Sequence, residues 1–158
     1  MHNQKSKLNY KILQEFEGHI PEKGVDSGNE KNSYCLAENQ DGNKFYVMDM
    51  AKTNDKLLFD VKDLPKALQL TKNRIVEVLN EDTGELEGII QTEEKHPTWY
   101  KADNGYACTH GFKKKNGIQE TPYFHRHIVG EAFIKGKYID HINQNKLDNR
   151  RCNLRFAS

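Results

Sequence analysis

The chain has 158 residues, room for one ordinary domain or two small ones, and its 35% hydrophobic and 30% charged content is polar yet globular rather than disordered. No apolar run reaches the roughly eighteen residues of a membrane-spanning helix, and Met1-His2-Asn3-Gln4-Lys5 lacks the apolar core of a signal peptide, so a cytoplasmic protein with no membrane partner is the expectation. The net charge of +1 conceals an asymmetry: residues 95–158 carry 12 Lys or Arg against 5 Asp or Glu, whereas residues 1–94 carry 12 against 18. A basic C-terminal half is what a phosphate-binding surface requires, although an ordinary solvated surface can carry the same excess.

In chain order, residues 1–32 are polar and predict a partly ordered segment whose apolar patch lies near Tyr10, Ile12 and Leu13. Residues 33–94 predict a small α+β region. It opens with strands over 33–37 and 44–50 joined through Asp41-Gly42, a strong hairpin signal, and 57–61 adds a third. From Lys62 the spacing turns helical. Leu64, Ala67 and Leu68 share one face, then Thr71 can cap a second run through Ile75, Val76, Val78 and Leu79. The outline over 62–80 is that of a helix-turn-helix, and equally of any small helical hairpin. The acidic stretch 81–87 reads as a solvated connection.

A domain boundary is expected near 92–97, where the charge changes sign. Beyond it, strands are expected over 99–101 and 105–109, joined through Asp103-Asn104-Gly105, with a further strand-like run over 118–124. The loop between them carries Lys113, Lys114 and Lys115 between glycines. Such a tip can straddle a phosphate backbone or simply stay solvated. The three cysteines, Cys35, Cys108 and Cys152, form no C-x-x-C pair and suggest neither a disulfide framework nor a cysteine zinc site. Cys152 is expected to fill a half-buried position.

The segment most dense in chemistry begins at His125-Arg126-His127, continues through Ile128, Val129, Ala132 and Phe133 on one face of a short helix, and turns at Gly136. Ile139-Asp140-His141, Asp148-Asn149-Arg150 and Asn153-Leu154-Arg155 follow. Hydrolysis of a phosphodiester needs an activated water, charge neutralisation and cationic groups on the backbone. Histidine can take a proton near neutral pH, and a carboxylate can hold a hard cation. Asn143 and Asn145 read as turn formers, and His127 as a structural or exposed residue.

These motifs, in this order over residues 125–156, resemble the HNH nucleases, especially the phage and intron-encoded homing endonuclease branch. The resemblance implies an α+β fold, with residues 95–158 forming a ββα-metal domain. Ser158 stands before the position near 162 where the family's closing helix supplies a second metal ligand, so that domain is expected to lack the helix. The implied activity is metal-dependent cleavage of double-stranded DNA by a monomer, with Mg²⁺ or Mn²⁺ and no small-molecule cofactor. By resemblance Asp140 is the metal ligand, His141 the general base, and Asn153 the residue whose carbonyl orients the base. Arg126, Arg150, Arg151 and Arg155 become candidate phosphate contacts beside Lys113, Lys114 and Lys115, with His125 and Asn149 as further site positions. Gln144 departs from the family pattern, which often has glycine there. The alternatives are an HNH-like DNA-binding protein without catalysis, and a regulatory protein with a vestigial HNH-like tail.

Overall fold

A computed structural model describes residues 9–18, 32–130 and 138–157. The fold is mixed α+β, mostly strands with few helices. Residues 1–8 and 19–31 of the expected N-terminal segment lie outside the described residues, as do Ala132, Phe133 and Gly136 of the expected helix and turn.

The central sheet runs in the order β1 (Tyr10–Phe16), β2 (Tyr34–Asn39), β3 (Lys44–Asp49), β4 (Lys56–Asp60) and β10 (Asp148–Asn149). The β2–β3 hairpin turns where the sequence predicts, with Gly42 at φ 83°, a left-handed conformation that glycine adopts without cost. Residues 10–16, read from sequence only as an apolar patch, form a full edge strand on β2. The first four strands are antiparallel. β10 then adds in parallel to β4, with Asp148 beside Leu58 and Asn149 beside Phe59. Both faces of β3 and β4 are covered, which explains why they read as nearly continuous apolar runs rather than alternating ones.

One core spans the expected domain boundary. Met48, Leu57 and Phe59 from the sheet pack with Ala67 and Leu70, and with Trp99, Ala107, Phe124, Ile128 and Leu147 from beyond it. The Trp99 ring meets Phe124 edge-on at 4.9 Å, Phe124 lies 5.2 Å from Phe59, and the Trp99 indole N–H donates to Ala67 O at 2.8 Å. The charge change at 92–97 is therefore no structural seam: His96 follows directly on a strand, and Pro97 and Trp99 are buried.

The helix-turn-helix expectation is half wrong. The first helix exists as α1 (Leu64–Leu68), entered through a 3₁₀ turn at Val61–Asp63. The second run is β5 (Leu70–Leu79), paired along its whole length with β6 (Leu86–Lys95) in an antiparallel ribbon. The spacing of Ile75, Val76, Val78 and Leu79 mimics a helix because apolar residues occupy both faces of the strand. Cross-strand pairing of Ile75 with Ile90 and Val76 with Ile89 decides the conformation. The acidic stretch supplies the turn between them, as expected.

Short strands β7 (Tyr100–Lys101) and β8 (Ala107–Cys108) flank the Asp103-Asn104-Gly105 turn. Residues 118–124 make only isolated bridges, at Gln119 and Tyr123. Helix α2 (Phe124–Val129) ends at Gly130, whose φ of 61° stops the helix. The tail forms β9 (Tyr138–His141) and β11 (Leu154–Ala157), an antiparallel pair with His141 opposite Leu154, preceded by a 3₁₀ turn at Arg151–Asn153. Cys152, in that turn, is exposed rather than half-buried. Among the described residues, no helix is long and apolar enough to cross a membrane.

Candidate functional site

The described tail, residues 138–157, is fastened to the body of the protein by polar groups. Arg151 forks onto Asp63 (Nε–Oδ2 3.0 Å, Nη2–Oδ1 2.9 Å) and donates to Ile128 O at 2.7 Å, while its backbone N–H reaches Asp60 Oδ2 at 3.1 Å. Arg150 forks onto Asp148 at 2.8 and 2.7 Å and lays its guanidinium over the Phe45 ring. The Asp63 and Asp148 carboxylates are almost fully buried, so each needs its arginine. Arg150 and Arg151, expected at the DNA backbone, are thus spent on fastening the tail to the sheet.

The Asn-rich loop is a closed hydrogen-bond circuit. Asn153 Oδ1 accepts from the Asn143 N–H at 2.9 Å, and Asn153 Nδ2 donates to Asn143 Oδ1 and to Asp148 O, both at 2.8 Å. Asn143 Nδ2 donates to Asp148 Oδ2 at 2.8 Å, and Asn145 Oδ1 takes the Leu147 N–H. Asn143 and Asn145 are turn formers, as read from sequence. Gln144 sits at φ 64°, a left-handed conformation in which a glycine carries no penalty, so its departure from the family pattern has a physical cost of about 1 kcal/mol.

His141 is buried, and its partner is not the one expected. Its Nε2 donates to Asn149 Oδ1 at 2.8 Å. Asn153, assigned that orienting role by resemblance, spends its side chain in the loop circuit, and it is Asn149 that bonds the ring. Asn149 is completely buried on β10, and its amide Nδ2 finds no hydrogen-bond partner among the described residues. Parallel pairing of β10 with β4 seals it there.

Aromatic rings surround the imidazole. The His125 ring on α2 stacks on Tyr106 with centroids 4.9 Å apart and meets His141 edge-on at 5.4 Å; Tyr106 lies 5.8 Å from His141. Burial pushes the His125 imidazole down to about 4, with the neighbouring His141 and Arg126 adding to the effect, so His125 is neutral near pH 7. Lys146 holds its ammonium 4.7 Å over Tyr106 and donates to Asn104 O at 2.8 Å. Tyr106 and Lys146 were missed in the sequence, where only their positions in the Asn-Gly turn and the Asn-rich loop give a signal. His127 is structural, as expected: its Nε2 bonds Lys66 O at 2.8 Å, its ring lies 5.9 Å from Trp99, and burial lowers its pKa.

Asp140 is not brought to this cluster. Adjacent strand residues point to opposite faces, and the Asp140 carboxylate lies on the more open one, paired with its cross-strand neighbour Arg155 at 3.1 and 2.9 Å. Among the described residues, no group of three or more His, Cys, Asp or Glu side chains is placed to hold a metal ion. One carboxylate already paired with a guanidinium does not make a site for a hard divalent cation, which needs several oxygens. Arg126 and Lys113–Lys115 are solvent-exposed, the lysines on the turn whose backbone accepts from Arg74 at Lys113 O, 3.0 Å away.

No protein-family model, no curated protein and no solved structure matches this chain.

Proposed function

We propose that the chain is an HNH-type DNA endonuclease in which His141 is the proton acceptor and Asn149, not Asn153, orients it. The observation that carries this reading is the Asn149 side chain. It is fully buried, commits its carbonyl to His141, and its amide nitrogen has no partner among the described residues. A buried donor without a partner costs about 1–3 kcal/mol. The same side chain is explained if its task is to hold an imidazole.

The chemistry follows from the tautomer. With Nε2 donating to Asn149, the proton sits on Nε2 and Nδ1 keeps the lone pair that can accept a proton from water. The neutral His125 and Tyr106 rings pack beside the imidazole, and exposed Arg126, Lys146 and Lys113–Lys115 are the cations offered to the DNA backbone. A divalent ion would neutralise charge at the phosphate, but the described donor set does not form its site.

Nicking of supercoiled plasmid, with Mg²⁺ or Mn²⁺ added, tests the reading. His141→Ala should lose about 100-fold or more, the scale of general base catalysis, and Asn149→Ala should fall between it and the parent while Asn153→Ala tracks only stability. Undiminished cleavage by His141→Ala would sink it. The pairing of Asp140 with Arg155 favours a second reading, a DNA-binding protein without cleavage. Salt-sensitive duplex binding without nicking at any cation concentration would decide for that one.

A further inference from the structure

The β5–β6 ribbon has two unlike faces. Strand alternation and register put Ile75, Glu77 and Leu79 on the same side as Leu86, Gly88 and Ile90. The base of the opposite side is braced by the body of the protein: Lys72 pairs with Glu120 at 2.8 Å, Arg74 donates to Lys113 O at 3.0 Å, and Lys95 to Gly111 O at 2.9 Å, while Val78 and Ile89 nearer the tip are 43% and 46% exposed. The first side is uncovered. Ile75 is 79% exposed, Ile90 70%, Leu86 63% and Leu79 56%.

Charge distinguishes the faces further. Every cation of the ribbon, Lys72, Arg74 and Lys95, lies on the braced side. The open side and its turn carry only anions: Glu77 and Glu94 on the strands, and Glu81, Asp82 and Glu85 at the tip. An apolar face ringed by carboxylates repels DNA and anionic lipid. Stacking it on a second copy in antiparallel fashion would set Glu77 against Glu77, which is unfavourable.

We infer that this open face of the β5–β6 ribbon docks a basic, apolar polypeptide segment. The two apolar pairs, Ile75–Ile90 and Leu79–Leu86, lie about 13 Å apart along the ribbon, four residues at strand rise. Between them Glu77 faces Gly88, where a Cβ would come within 3.3 Å of Ile75 Cγ2, so Ile75 packs against the bare glycine beside a carboxylate. The matching partner places a lysine or arginine between two apolar side chains on one face. The apolar contacts supply affinity, and Glu77 selects the cation.

The test uses the full chain and a fluorescein-labelled peptide of alternating leucine and lysine, read by anisotropy, with a leucine/glutamate peptide and oligolysine as comparisons. Saturable binding of the leucine/lysine peptide alone is expected. Glu77→Lys should weaken it at least tenfold, and Ile75→Ser with Ile90→Ser should do the same. Asp103→Lys, an equal charge change at an exposed turn elsewhere, should leave binding within twofold. All these positions are exposed, and Trp99 emission during thermal unfolding reports whether each variant keeps its core; Leu86→Ser is the substitute for any that does not. Binding of oligolysine with equal strength, equal loss with Asp103→Lys, or indifference to Glu77 would overturn the proposal. Sedimentation showing a dimer that the same substitutions dissociate would overturn it in favour of self-contact.

Discussion

Two antiparallel ribbons leave the same core, both exposing some apolar residues, and they differ in how they treat polar ones. The β9–β11 ribbon and its loop bury His141, Asp148, Asn149 and Asn153, whereas the β5–β6 ribbon exposes Ile75, Leu79, Leu86 and Ile90. Hydropathy alone would exchange the two. What decides burial is coverage: β10 stitches the tail loop to β4, while β5–β6 has only its inner face and base against neighbours. Buried polar groups survive because nearly every one is paired, and exposed apolar groups survive because a residue in solvent costs little on its own.

If this contrast is right, polar substitutions in the tail should hurt more than apolar ones in the ribbon. The largest loss is expected from Arg151→Ala, which strands the buried Asp63 carboxylate; urea unfolding should show a loss of about 3–5 kcal/mol. Next comes pH. His125 has a folded pKa of about 4, below the ordinary 6.5, so the unfolded chain binds the proton first. Stability from this group is present above pH 6.5, falls as the pH drops, and is exhausted near 4. The total is about 3 kcal/mol, and His127 acts in the same direction. Thermal melts across that window should slope, and His125→Phe should flatten them. Asn153→Ala, which opens the loop circuit, should cost about 2 kcal/mol by the same urea measurement. Smallest of all, Ile75→Thr with Ile90→Thr should stay within about 0.5 kcal/mol. A loss above that of Asn153→Ala would mean that the ribbon face is covered, and the contrast would fail.

Legibility in the sequence follows the range of the deciding interaction. The β2–β3 hairpin was readable because Asp41-Gly42 carries its own turn chemistry. α1 was readable because Leu64, Ala67 and Leu68 need only a local period. β5 was misread because apolar residues on both faces imitate helical spacing, and the corrective signal, the β-branched pair Ile89-Ile90, lies beyond the turn. The residue types of the candidate site, His125, Asp140, His141 and Asn149, stood out by composition and order. Their roles did not. Whether Asn149 or Asn153 reaches His141 depends on a parallel strand pairing across some ninety positions, and whether Arg151 meets DNA or Asp63 depends on a partner 88 residues away. The family resemblance points to Asn153 as the orienting asparagine, whereas in the fold Asn153 closes the loop and Asn149 is the asparagine that bonds His141.

The two-residue strand β10 also bears on the order of events in folding. Its pairing with β4, and the 88-residue reach of the Arg151–Asp63 fork, make the decisive contacts among the most non-local in the chain. Such contacts repay their loop-closure entropy only late, so a refolding chain should pass slowly through its rate-limiting step. The β1–β4 sheet, synthesised first, must wait with Leu57 and Phe59 uncovered until Trp99, Phe124 and Leu147 arrive. A fragment ending at residue 94 should therefore fail to fold cooperatively.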